Sequence, residues 1–178
     1  MSIGNRIDEA IVKLISHDYE NALVQISIAI DATAKKKFNN EKKVGLRIRK
    51  FINQHESIIT HFSMLGSFKI ECKGNVIYGD KGSIGNIAYK SIRCALLHEG
   101  DVSKNITFKE GVTMGMENNK YIVTDNMLWG LVLILVGEEV NKNQSLINKH
   151  QVTCFGKTID IGSQWGNLEE VKRLTNYV

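Results

Sequence analysis

Arg93 and His98 stand five positions apart in the stretch YKSIRCALLHEGDV, residues 89–102. An arginine is a permanently charged fork matched to phosphate oxygens. A histidine titrates near neutrality, so both of its protonation states are available there. At roughly 100° per residue, five helical steps turn about 140°, and the pair flanks a surface on the side away from the apolar face. Tyr89 and Lys90 precede Arg93 on the same stretch and are candidates for substrate contact. The plain alternative is a surface arginine together with a histidine that complements the helix dipole at the last turn.

A second group of cations lies in KKKFNNEKKVGLRIRK, residues 35–50, which holds eight of the 23 Lys and Arg residues against the single acid Glu41. Total net charge is only +4, so the rest of the chain is net acidic. Lys42, Lys43 and Arg47 are the candidates here for contacts to a nucleic-acid backbone, by phosphate pairing and counterion release. A solvated connection between two helices is the other reading of such a run. Asp31, alone in an apolar stretch, suits a salt bridge or the orientation of a cleft residue.

Other chemistry has less support. His17, His55, His61 and His150 show no metal-ligand spacing, and the expectation is no metal and no cofactor. The glycines of GDKGSIG, residues 79–85, lack the G-K-[ST] ending of a phosphate loop. No Ser, Cys or Lys nucleophile sits beside a base in a familiar pattern.

The elements that must position these residues read as helices. Apolar residues recur at helical spacing over residues 7–16, 19–38 and about 41–62, and three helices in so short a span predict an antiparallel bundle. A fourth helix over 83–100 buries Ile84, Ile87, Ala88, Ile92, Ala95 and Leu96, with Ser83 as N-cap and Gly100 just past its end. A fifth begins after Thr124 or Asp125 and carries the apolar run to about Val140, too short to cross a bilayer and therefore read as a core helix. The last, over 167–177, opens with Asn167 and Glu170 in a capping-box arrangement. Residues 67–82, 104–124 and 151–162 alternate in the manner of hairpins. The fold expected is mainly α, a bundle with short β-hairpin decorations. It forms one domain over 1–178, with a core at about 7–140 and a hairpin and helix appended over 141–178.

Composition agrees with a single globular domain: 178 residues, 43% hydrophobic, 24% charged and no proline. Cys72, Cys94 and Cys154 are odd in number and widely spaced, which fits the reducing cytoplasm and makes the sequons at Asn105 and Asn143 meaningless. The N-terminus has no apolar signal core. Cys94 and Leu97, apolar on the outward side of the fourth helix, suggest that a second copy of the chain covers it. Two arginines and two histidines would then surround one cleft able to hold a phosphodiester.

With its amphipathic bundle helix ending in RCALLHEG, the chain resembles the HEPN superfamily, whose signature is R-x(4–6)-H. The likeness spans most of residues 19–140. It implies a small, commonly dimeric helical bundle that in many members is a metal-independent endoribonuclease of toxin–antitoxin, phage-defence or RNA-processing systems, with RNA and an antitoxin or other protein as partners. In that chemistry the RNA's own 2′-hydroxyl attacks the adjacent phosphate, leaving a 2′,3′-cyclic phosphate and a 5′-hydroxyl. Arg93 would stabilise charge and His98 would move a proton. The residue after the arginine is often Asn, Asp or His in active members and is Cys94 here. The resemblance therefore also implies a second reading, a catalytically silent module that binds nucleotide, RNA or protein.

Overall fold

The computed structural model describes residues 2–65, 84–97, 102–111, 116–154, 156–175 and 177. The hairpin expected over 67–82, the Ser83 cap, Gly100 and His98 lie outside the described residues, as do the side chains of Ile84, Cys94, Leu96 and Leu97.

The chain is mainly helical, with two small sheets. Helix α1, Ile3–Ile15, starts four residues earlier than the apolar spacing suggests, because the Ser2 hydroxyl accepts the Asn5 N–H and caps it. Helix α2, Tyr19–Lys37, is capped by Asp18, whose carboxylate lies below the usual range. The Asn21 side-chain hydrogen bond is the largest cause. Helix α3, Val44–Leu65, is offset by about three residues from its predicted span. Arg47 reaches back to the Glu41 and Lys42 carbonyls at 3.2 and 3.3 Å, holding that stretch outside the helix.

Helix α4, Ile84–Leu97, packs on α2 and α3. Gly45 lies beside Tyr89 and Arg93, whereas Glu56 accepts the Gly85 N–H at 3.1 Å, so α3 and α4 run antiparallel. Ile87, Ala88, Ile92 and Ala95 are buried as the periodicity predicts.

Helix α5, Asp125–Gly137, is buried on nearly every side, with Leu128 and residues 131–136 essentially inaccessible. It ends at Gly137 rather than near Val140 because Glu138 leaves helical geometry, with ψ 125°. The Glu138 carboxylate takes Lys37 Nζ at 2.7 and 2.8 Å and stands 2.6 Å from His55 Nε2, joining α2, α3 and the end of α5. Gly130 brings α5 close to α3: a Cβ at that position would lie 2.6 Å from Phe62 Cβ. Among the described residues no helix is long and apolar enough to cross a membrane.

Strands β1, Ile106–Lys109, β2, Met116–Glu117, and β3, Lys120–Thr124, form a sheet in the order β1-β3-β2. Only β2 and β3 make a hairpin; β1 pairs with β3 in parallel. Asn118 and Asn119 both have positive φ, which is what the tightest hairpin turn requires, so the turn joins β2 to β3 and leaves β1 the other edge of β3. The expected hairpin near the C-terminus is present as β4, Gln151–Cys154, against β5, Lys157–Asp160.

Helix α6, Leu168–Leu174, is capped by Asn167 and packs on α5. The C-terminal stretch is tied to the bundle: Asp8 on α1 accepts from Asn148 and from His150, and Ile159, Ile161 and Val171 share the main core.

Candidate arginine–tyrosine anion site

Tyr89 is where α3 and α4 bring their cations together. Tyr89 is 8% exposed, yet its hydroxyl accepts from Arg93 Nη1 at 3.4 Å, one helical turn further on. From the other helix, the Arg49 guanidinium carbon lies 4.3 Å from the ring centroid. Gly45 leaves the space this needs: a Cβ there would stand 3.3 Å from the Tyr89 hydroxyl and 3.7 Å from Arg93 Nη1. Burial raises the Tyr89 phenol, but the hydrogen bonds and charges of Arg93 and Arg49 outweigh it, and the net pKa falls below the usual tyrosine value. The point where the two guanidinium groups meet therefore favours negative charge. Both arginines are exposed, so an oxyanion from solvent can reach the same field.

The other predicted residues are distributed around this point. Lys90 is exposed but turned to the sheet, with Nζ 2.6 Å from the Tyr121 hydroxyl and 5.1 Å from its ring centroid. Lys42 and Lys43 are exposed just before α3, near Glu41. The Glu41 carboxyl lies below its usual value, first through its bond to Lys50 and then through the Lys43 N–H.

Arg47 sits differently from its expected substrate-contacting role. It is 7% exposed and its guanidinium is committed to Asp31 at 3.0 Å and to two carbonyls, so it closes the α2–α3 connection. That contact also accounts for Asp31 as a salt-bridge partner.

Arg49 is the residue that sequence reasoning missed, although a signal was present. Ile48, Phe51, Ile52, His55 and Ile59 trace the buried stripe of α3. Arg47 and Arg49 flank that stripe on opposite sides, about 200° apart, so Arg47 meets α2 at Asp31 and Arg49 meets α4 at Tyr89. His98, the proposed proton carrier, lies outside the described residues.

A family model described as Rv1289 matches residues 2–177. Curated proteins and solved structures gave no match. The family match runs through the helices and sheets of the described residues, including α3 and α4, which bring Arg49, Tyr89 and Arg93 together, and the chain belongs to the Rv1289 family.

Proposed function

We propose that the surface formed by Arg49, Tyr89 and Arg93 binds the phosphate backbone of RNA, and that His98, five residues beyond Arg93, completes a metal-independent endoribonuclease of the HEPN type. The observation that carries this reading is the convergence of two exposed arginines, from α3 and α4, on one tyrosine. A phosphate in transesterification gains charge on its non-bridging oxygens, and two fixed guanidinium groups meet that charge without reorganising. His98 would take the proton from the 2′-hydroxyl or deliver one to the departing 5′-oxygen. Lys42 and Lys43 extend the cationic surface along the RNA, and pairing of α4 with its copy in a homodimer would bring two such sites together.

A silent nucleic-acid-binding module is the second reading. It is favoured by the engagement of both arginines with Tyr89 and by Cys94 beside Arg93.

The test is cleavage of mixed-sequence RNA by the full chain and by His98→Ala. The proposal expects products with 2′,3′-cyclic phosphate ends and a rate reduced on the order of a hundredfold or more in the variant. RNA that is bound through Arg93 and left uncut supports the silent module. Undiminished cutting by His98→Ala places the chemistry elsewhere.

A further inference from the structure

Beside the arginine–tyrosine site stands another cation held by another tyrosine. Lys90 follows Tyr89 on α4 and is exposed. Its Nζ donates to the Tyr121 hydroxyl at 2.6 Å and lies 5.1 Å from the centroid of that ring. Tyr121 is half-buried on β3, in register with Ile106 of β1 on one side and with Met116 of β2 on the other. The sheet thus fixes Tyr121 from both edges, and Tyr121 fixes the lysine. A lysine loose in solvent loses rotamer freedom when it meets a ligand, and here much of that ordering is already done.

The pairing leaves both charge and hydrogen bonds to spare. Tyr121 accepts from the ammonium, so its own O–H remains a donor, and Lys90 has further N–H groups to give. Among the described residues Arg49, Lys90 and Arg93 each meet a tyrosine and no carboxylate. Elsewhere Lys13, Lys37, Arg47 and Lys50 each meet an acid, and Glu117, the acid of β2, is taken by Lys109 at 2.9 Å. A neutral phenol holds a cation in place without cancelling its charge.

The spacing suits a polymer. Lys90 and Arg93 are three residues apart on α4, which sets them side by side with about 5–6 Å between Cβ atoms. Arg49 and Arg93 meet at Tyr89, whereas Lys90 leads from the same helix to the sheet.

Resting on the RNA reading above, we propose that Lys90 and Tyr121 form a second phosphate subsite, where an RNA strand held at Arg49 and Arg93 continues over α4 onto the sheet. Lys90 supplies charge to the neighbouring phosphate, and the Tyr121 hydroxyl donates to one of its oxygens while keeping Lys90 in place. The three-stranded sheet then takes part in binding rather than only decorating the bundle. Lys90 and Tyr121 are 31 positions apart, so no motif in the sequence marks the pair.

The experiment measures binding of 2′-O-methyl RNA, which lacks the hydroxyl that cleavage needs, to the native chain, Lys90→Gln, Tyr121→Phe and Arg93→Ala. One probe is an octamer and the other a dinucleotide with a single phosphate. Glutamine replaces an exposed side chain and phenylalanine keeps the ring, so both subsite variants should fold, and circular dichroism checks that they do. On the octamer, Lys90→Gln should lower the log–log salt slope by about 0.7. Tyr121→Phe should weaken octamer binding about tenfold with little change of slope, because it removes a hydrogen bond and no charge. The dinucleotide, seated at the arginines, should bind both variants as it binds the native chain. Octamer binding unchanged in both variants but weakened in Arg93→Ala overturns the subsite and leaves the pair a tie between helix and sheet. Equal weakening of the dinucleotide also overturns it, since a single phosphate would then meet all of these groups. If Arg93→Ala has no effect either, the RNA reading itself fails.

Discussion

Glu138 shows how one side chain can hold three helices. Burial pushes its carboxyl up, but His55 and Lys37 pull it further down, and the net pKa lies below the ordinary glutamate value. A carboxylate depressed in the folded state contributes stability that is present above the unfolded value and is lost as pH falls through the folded one. Glu138→Gln should therefore cost about 3–5 kcal/mol near neutrality, the range for breaking a buried ion pair from one side. It should also flatten the acid limb of the stability curve between the unfolded and folded carboxylate values, as urea titrations across that range will read. The residues of this cluster were plain in the sequence, but their meeting was not, because Lys37 and Glu138 are 101 positions apart. Arg47 and Arg49 teach the same lesson at short range. Both are arginines of one basic run, and helix phase puts them on opposite flanks of the buried stripe, Arg47 against Asp31 of α2 and Arg49 against Tyr89 of α4.

Among the elements, α5 is the most tightly fitted, and Gly130 tests how tightly. Alanine there gains about 1 kcal/mol of helix propensity. Against that, its Cβ would press on the Phe62 side chain at the Cβ and the near ring carbons, all within 2.8 Å, which a rotamer change does not relieve. Overpacking of this kind costs about 1–3 kcal/mol, so the expected outcome is a net loss, seen as a Tm several degrees lower for Gly130→Ala. A raised Tm would mean that α3 and α5 shift apart freely. The helices were legible because each writes its own apolar period in consecutive residues, as in Ile87, Ala88, Ile92 and Ala95. The sheet was only half legible. Alternation marked strands around residues 106–124, but pairing is a property of two segments, and the parallel β1–β3 match left no local trace. Two helix ends depart from the apolar pattern: Arg47 reaches back to two carbonyls before α3, and Glu138 leaves helical geometry after α5 and meets Lys37 and His55 on α2 and α3.

At the scale of the whole molecule, charge is gathered at the start of α3 and its junction with α4, while the C-terminal residues are tied to α1 and α5 through Asp8 and the common core. On the proposed reading, that surface is where the RNA backbone would bind. The mainly helical class could be read from the sequence; Tyr89 and Arg93 of the candidate site were singled out there, but Arg49 was not, because its partner Tyr89 sits on another helix. The most direct measurement is the affinity of single-stranded RNA for the native chain and for the Arg49→Ala, Arg93→Ala double variant, as a function of salt. Removing one phosphate-pairing cation should lower the log–log salt slope by about 0.7, so the account predicts a slope shallower by about 1.4 and weaker binding at low salt. Unchanged affinity and slope in a folded double variant would contradict it.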